Sequence, residues 1–236
     1  MIITCISDTH TFHRHLTSKA MGSILQGSDL LIHSGDLTGI GRRDEVEEVF
    51  QWFKEIAPRF THGIVFIAGN HDKSFDPKFN YLDGGRKKPD WLEEKLYDIE
   101  YGGHKITYLE NESIDIEGVK FWGSPVTPWF HGDRWAFNKH RGDEINEVWN
   151  TIPEDTDVVI THGPPYQILD FIPATRENVG CKDFLARMEV VQPKLCVFGH
   201  IHEGHGSYAL PGTTYINASI CDANYDPTNK PQIFEI

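Results

Sequence analysis

Basic residues are scarce in this chain: 22 Lys and Arg stand against 35 Asp and Glu, a formal net charge of −13 over 236 residues. That balance argues against a binder of nucleic-acid polymers or of an anionic membrane surface, since both select for clustered positive charge. Cysteine is also sparse. Cys5, Cys181, Cys196 and Cys221 form no C-x-x-C pair, which argues against a zinc ribbon or a disulfide framework. Cys5 and Cys196 lie inside apolar runs, where a buried free thiol is expected, so the cysteines are read as reduced and the protein as cytoplasmic. No apolar run approaches the roughly 18 residues of a membrane span. No basic region precedes the apolar N-terminal stretch, so a cleavable leader is not expected; removing one would delete Asp8 and His10.

Several catalytic signatures are missing too. There is no G-x-S-x-G elbow, no G-x-x-x-x-G-K-[ST] loop and no H-x-H-x-D-H run, and Gly39-Ile-Gly41 does not extend to a dinucleotide fingerprint. The 39% of hydrophobic and 24% of charged residues are ordinary for a globular chain, and one domain over 1–236 is expected.

Five short apolar runs rich in β-branched residues read as buried strands: Ile2–Ile6, Asp29–His33, Gly63–Ala68, Asp157–Thr161 and Lys194–Phe198. Amphipathic helices fall between them. Asp44–Ile56 places Val46, Val49, Phe50, Phe53 and Ile56 on one face and is stopped near Pro58; Lys182–Val191 ends before Pro193. This alternation predicts an α/β fold. Residues 105–109, 114–116, 119–122, 213–217 and 232–236 read as short strands of a second, mixed or antiparallel sheet packed on the first. The charged stretch 73–103, with Gly84-Gly85 and Pro89, reads as an insertion holding one or two helices.

Polar residues cluster at the C-terminal ends of the five runs: Asp8-Thr-His10, Gly35-Asp36, Gly69-Asn70-His71-Asp72, His162, and Gly199-His200-Ile-His202. In open α/β sheets ligands bind outside the carboxyl ends of the strands, so these residues are expected to converge. Asp8, His10, Asp36 and His202 can hold one metal ion, and Asp36, Asn70, His162 and His200 a second, with the Asp36 carboxylate shared. Mixed nitrogen and oxygen donors suit manganese, iron, zinc or cobalt better than calcium. Two ions about 3.5–4 Å apart hold a bridging hydroxide that attacks phosphorus and clamp both attacking and leaving oxygens. His71 is the spare histidine, placed to protonate or stabilise the leaving oxygen, with Asp72 as its candidate orienting partner.

These blocks resemble the calcineurin-like metallophosphoesterase superfamily, and within it the fetal-brain-type metallophosphoesterase-domain phosphodiesterases. The resemblance covers nearly the whole chain, including Thr127-Pro-Trp-Phe130, Thr161-His-Gly-Pro-Pro165, Ile201-His-Glu-Gly204, Thr213-Thr-Tyr-Ile-Asn-Ala-Ser219 and Pro227-Thr-Asn229. It implies a four-layer α/β/β/α sandwich of two mixed sheets flanked by helices. It also implies a metal-dependent phosphodiesterase acting on a small substrate, with cyclic nucleotides as candidates and manganese as the first candidate metal. Some members carry glycine where this chain has His200, which weakens one metal site; here both are expected to fill. The superfamily's protein phosphatases read Gly-Asp-x-Val-Asp-Arg-Gly at the second block, whereas this chain reads Gly35-Asp-Leu-Thr-Gly-Ile-Gly41, with Arg42 and Arg43 at the wrong spacing. Without that arginine a monoester dianion loses its clamp, so diesters are the expected substrates. Phosphomonoester hydrolysis and a non-catalytic binding scaffold are the alternatives, although scaffolds on this fold usually lose ligands and none is lost here.

Other residues carry less. His13 and His15 are expected on an exposed loop, and His33, inside a strand, as a hydrogen-bonded core histidine. Among the aromatics of 125–137, Trp129 and Phe130 are candidates to stack on a nucleobase or to pack, while Trp135 and Phe137 are expected to pack. His205 is a candidate substrate contact or a surface residue. Asn217 and Ser219 are read as hydrogen-bonding residues at a strand end near the site.

Overall fold

The computed structural model describes residues 1–17, 27–80, 84–96 and 99–236. The chain begins with β1 (Ile2–Ile6), β2 (Leu30–Ser34), α1 (Arg43–Ile56) and β3 (Ile64–Ile67). Next come α2 (Asp90–Leu96), β4 (Ile99–Tyr101), β5 (His104–Tyr108), β6 (Glu112–Ile116), β7 (Val119–Ser124) and β8 (Thr127–Pro128). The second half runs through β9 (Asn138–Lys139), α3 (Asp143–Trp149), β10 (Val158–Thr161), β11 (Phe171–Ile172), β12 (Glu177–Asn178) and α4 (Lys182–Val191). It finishes with β13 (Leu195–Phe198), β14 (Gly206–Leu210), β15 (Thr213–Asn217) and β16 (Gln232–Glu235).

Among the described residues the long strands form two six-stranded sheets, ordered β16-β1-β2-β3-β5-β4 and β14-β15-β13-β10-β7-β6. Each sheet has four parallel strands at its centre and one antiparallel strand at each edge. Strand alternation sets the layers. Ile3, Cys5, Leu30, Ile32, Val65 and Ile67 of the first sheet meet Phe121, Val158, Ile160, Leu195, Val197 and Ile216 of the second. The alternate residues face outward. Ile6, Leu31, Ile64 and Phe66 pack under α1 through Val46, Val49, Phe50, Trp52 and Phe53. Val159, Cys196 and Phe198 pack under α3 and α4 through Trp149, Phe184 and Met188. Helix, sheet, sheet, helix is therefore the layer order, the sandwich expected from the sequence.

The grouping of strands differs from the sequence reading. The five motif-bearing strands divide between the sheets, with β1, β2 and β3 in one and β10 and β13 in the other. Two strands expected in the second sheet, β5 and β16, complete the first. Apolar pattern reports burial on two faces, and both sheets are buried on two faces, so it does not sort strands between them. The stretch 73–103 holds two helical turns, α2 and β4, which extends the first sheet; residues 81–83 and 97–98 of it lie outside the described residues. Other elements have patterns too weak to show in the sequence: the short α3, the edge strand β14, whose residues are largely exposed, and the two-residue strands β8, β9, β11 and β12.

The first core holds an aromatic cluster, with Phe53 against Phe50, Trp52 and Phe66 at ring separations of 6.4, 5.5 and 5.2 Å. Replacing Phe53 with Ala is expected to reduce unfolding stability by about 3–5 kcal/mol, measured by urea denaturation on otherwise native protein.

Candidate metal centre

The strand ends of the two sheets meet along one seam, and backbone hydrogen bonds stitch it. Across it Ser7 N donates to Ala218 O (2.9 Å) and Ile220 N to Ser7 O (2.8 Å), while the loops of each sheet are joined by Asp8 N to Gly35 O (2.9 Å), His10 N to Asp36 O (3.0 Å) and Gly199 N to His162 O (2.9 Å). The turns that deliver the side chains are forced into the left-handed region. Asp8, His10, Asp36 and His200 have φ of 51, 40, 52 and 68°, a conformation that costs energy for residues with a Cβ and persists where surrounding structure holds it. Gly35 (φ +101°) and Gly199 answer a different need. A Cβ at Gly35 would lie 2.5 Å from His162 Nδ1, and one at Gly199 would lie 1.9 Å from Asp8 Oδ2. The glycines of the motifs make room for the ligands beside them.

The expected ligand residues come together. His162 Nε2 lies 3.3 Å and His10 Nε2 3.7 Å from Asp36 Oδ2. His202 Nε2 lies 3.3 Å from Asp8 Oδ1 and 3.4 Å from His10 Nε2. Asn70 Oδ1 is 3.0 Å from His162 Nε2. Three triads, Asp8–His10–His202, His10–Asp36–His71 and Asp36–His162–His200, each have ligand-capable atoms within 4.8 Å of one another. Asp36 belongs to two of them. His71, expected beside the ligands, falls in a triad as well.

Outer contacts fix the rings. Nδ1 of His162 faces Ser34 O at 2.9 Å, and Nδ1 of His202 faces Asp222 O at 2.8 Å. An Nδ1–H donated to a carbonyl leaves the Nε2 lone pair for the cluster, the tautomer a metal requires. Asp8 accepts from His200 N (3.1 and 3.0 Å) and from Ser219 Oγ (2.9 Å). Asn217 holds Ser219 in turn, its Oδ1 accepting from Ser219 N and Oγ.

Electrostatics fit divalent cations. Asp8 is fully buried and Asp36 is 2% exposed, and buried carboxylates need compensating charge. Burial raises both, but His162 and His71 hold Asp36 well below the usual carboxylate range, and His202 does the same for Asp8. The cost appears on the histidines. Burial lowers His162, yet Asp36 and Asp8 override it and hold its pKa at about 9. His202 reaches about 9 likewise, burial being outweighed by Asp8 and the Asp222 carbonyl. Burial wins at His10 and His200, which fall to about 4 and about 3. Without metal, protons on two ligands supply the positive charge. The donor set, the burial and the orienting bonds together fit divalent metal ions, which Asp8, His10, Asp36, Asn70, His162, His200 and His202 would hold.

Several side chains do not sit where the sequence placed them. Asp72 does not touch the His71 ring. It is fully buried and accepts from Gly69 N, Leu37 N, Thr38 N and Thr38 Oγ1 at 2.8, 3.1, 2.9 and 2.6 Å, clamping the second motif loop to the third. Burial and Asp36 push its pKa up to about 6. His71 is oriented by Gly39 O, 2.6 Å from its Nδ1, while its backbone N–H donates to Asp36 Oδ1 at 2.8 Å. His205 lies against Gln232 Nε2 at 3.0 Å and is not among the residues lining the cleft. His13 is buried against Trp52 and pairs with Glu48, so the loop reading fails for it; His15 is exposed. His33 is a core histidine 2.9 Å from Thr9 Oγ1. Trp129 and Phe130 line the cleft, and so does Trp135, whose ring is 4.4 Å from that of His71 and stacked on Phe130 at 6.2 Å. Phe137 packs on the first core as expected.

Tyr225 is a site residue that no sequence pattern singles out. Its ring lies 4.8 Å from His10 and 5.0 Å from His202, on the rim of the cleft, with φ of 64°. The turn that presents it is built on Asp222, whose side chain accepts from Asn224 N and Asp226 N. The only sequence signal is the motif-like Pro227-Thr-Asn229 beside it.

Sheet order, strand-end ligands and a carboxylate shared between ligand sets define a metallophosphoesterase-type centre. Residues 1–204 match the calcineurin-like phosphoesterase family, and the chain belongs to it. It is 37% identical over 243 residues to metallophosphoesterase domain-containing protein 1 of Homo sapiens, covering 98% of this chain and 70% of that one. It is 36% identical over 238 residues to UPF0046 protein K07C11.7 of Caenorhabditis elegans, covering 99% and 74%. The fold matches that of TT1561 of Thermus thermophilus, with a TM-score of 0.57, 12% identity, and 92% and 88% of the two chains covered. Family membership makes this a metal-dependent phosphoesterase. No described helix is long and apolar enough to cross a membrane.

Metal uptake is expected to release protons at neutral pH. His162 and His202, with pKa values of about 9, are protonated at pH 7 and must become neutral to ligate, whereas His10 and His200 already are. Titrating Mn²⁺ into the metal-free protein in buffers of different ionisation enthalpy should show protons released at pH 7 and affinity rising towards pH 9. Uptake without proton release at pH 7 would contradict this assignment.

Proposed function

We propose that the chain is a phosphodiesterase that uses two divalent transition-metal ions, manganese first among manganese, iron, zinc and cobalt. The observation that carries this is the position of Asp36, whose carboxylate faces His10, His71 and His162 at once. When bound, such a pair of ions supplies Lewis-acid charge to the phosphoryl group and lowers the pKa of the attacking water.

The protein's own residues do the rest. His71, with Nδ1 anchored on Gly39 O, presents Nε2 and is assigned to give its proton to the leaving oxygen. The strained turns at Asp8, Asp36 and His200 hold the ligands against a rigid seam, so little reorganisation accompanies the reaction. Phe130 and Trp135 form a flat wall on a cleft of about 940 Å³, room for a nucleotide, with the base stacked on the wall. A cyclic nucleotide is the natural small diester for such a cleft. The four free, buried thiols fit a reducing, cytoplasmic compartment.

The second motif supports a preference for diesters. The Gly35–Gly41 turn brings no guanidinium to the metal ligands. Arg42 pairs with Asp44 and Glu45, and Arg43 pairs with Glu47 and covers Trp91. A diester carries one charge fewer than a monoester and needs less clamping.

With the manganese-loaded enzyme, kcat/KM for bis-p-nitrophenyl phosphate is expected to exceed that for p-nitrophenyl phosphate by roughly tenfold, about 1.4 kcal/mol in transition-state binding. The reverse order would replace this reading with a phosphomonoesterase, and no turnover of either ester, nor of 2′,3′- or 3′,5′-cyclic nucleotides, would leave a binding scaffold.

A further inference from the structure

The cleft extends well beyond the metal ligands. From His71, His200 and His202 it continues past Pro164 and Tyr166 to the β11–β12 hairpin, where Ile172, Arg176 and Asn178 line it. This hairpin is fastened to the metal centre. Asp170, fully buried at its base, accepts from Gln167 N at 2.9 Å, from Gly180 N at 2.8 Å and from the Asn178 side chain. Asn217 Nδ2 donates to Leu169 O (3.4 Å) and to Ile201 O (2.8 Å), the residue before ligand His202. Gly204 packs so tightly there that a Cβ would lie 1.9 Å from Leu169 O. The far wall is thus held at a set position relative to the ligands.

That wall is where the cleft is basic. Among the described residues Arg141 and Arg176 are its arginines, and no lysine lines it. Arg141 donates to Gly180 O at 2.9 Å and to Val179 O at 2.8 Å, which fixes its charge behind the hairpin. Arg176 sits in the hairpin turn with φ of 60°, its N–H bonded to Ile172 O at 2.9 Å and its side chain exposed. Neither guanidinium has a carboxylate partner among the described residues, whereas Arg14, Arg42 and Arg43 are all ion-paired. In a chain of net charge −13, two uncompensated guanidinium groups on one wall are unusual. Glu177 and Glu203 line the same cleft, so the basic character is local to the arginines.

We propose that Arg176, with Arg141 behind it, forms an anion subsite for a phosphate that the substrate carries away from the ester being cleaved. The planar guanidinium fork suits that group. The proposal rests on the phosphoesterase reading above and narrows its substrates to phosphoesters bearing a further phosphate, of the size of a phosphorylated nucleotide.

The test uses the manganese-loaded full chain with adenosine 5′-monophosphate and adenosine 3′,5′-bisphosphate as competitors of aryl diester cleavage, with affinities checked by calorimetry. Wild type should bind the bisphosphate roughly fivefold more tightly, the scale of one exposed charge contact. Arg176→Gln should bring the ratio near one, Arg176→Glu should invert it, and Arg176→Lys should retain part of it. The wild-type advantage should shrink as salt is raised from about 50 to about 500 mM. Equal binding of the two nucleotides by wild type, or a ratio unchanged in Arg176→Glu, would overturn the subsite while leaving the hydrolase reading intact. Absence of any turnover, with neither nucleotide bound, would mark failure of the hydrolase reading instead.

Discussion

Two buried carboxylates govern this structure. Asp8 and Asp36 lie at the ends of neighbouring strands with almost no access to water, and a charge so placed is tolerated only where other groups neutralise it. The surrounding histidines meet that need in part: Asp36 and Asp8 raise His162, and Asp8 raises His202, to pKa values of about 9. Imidazoles crowded within hydrogen-bonding distance of one another, as His10 and His202 are at 3.4 Å, are arranged for a cation between them.

The fold supplies the convergence that this chemistry needs. Each sheet has four parallel strands at its centre, so the carboxyl ends of β1, β2 and β3 line up on one side of the seam and those of β10 and β13 on the other. Backbone bonds across the seam and left-handed turns fix the loops. Buried polar groups that act through others complete the frame. Asp72 ties two motif loops, Ser219 and Asn217 brace Asp8, and Asp170 braces the far wall. Each acts by holding another part of the site in place rather than by lying among the ligand atoms.

Much of this is legible in the sequence because it is local. The five strands and the two long helices follow from apolar period and from proline stops, and the motif residues from their place after the strands. Long-range decisions are less visible. Which strand joins which sheet depends on crossover connections, and β5 and β16 join the first sheet without any change of local pattern. Asp72 next to His71 suggests a pair, but adjacent side chains point apart and the carboxylate serves the backbone of the neighbouring loop. His13 reads as a loop residue but is buried against Trp52, its Nε2 facing the Glu48 carboxylate 35 residues away. Trp135, Tyr225 and Arg176 reach the cleft from irregular segments, where no periodicity announces direction.

In the proposed centre Asp36 serves two ions at once. Metal content after loading with Mn²⁺ and removal of free ion, measured by mass spectrometry on wild type and Asp36→Asn, tests it directly. The account predicts about two ions per wild-type chain and loss from both sites in Asp36→Asn, with the fold retained by circular dichroism. A folded Asp36→Asn variant that keeps both ions would contradict it.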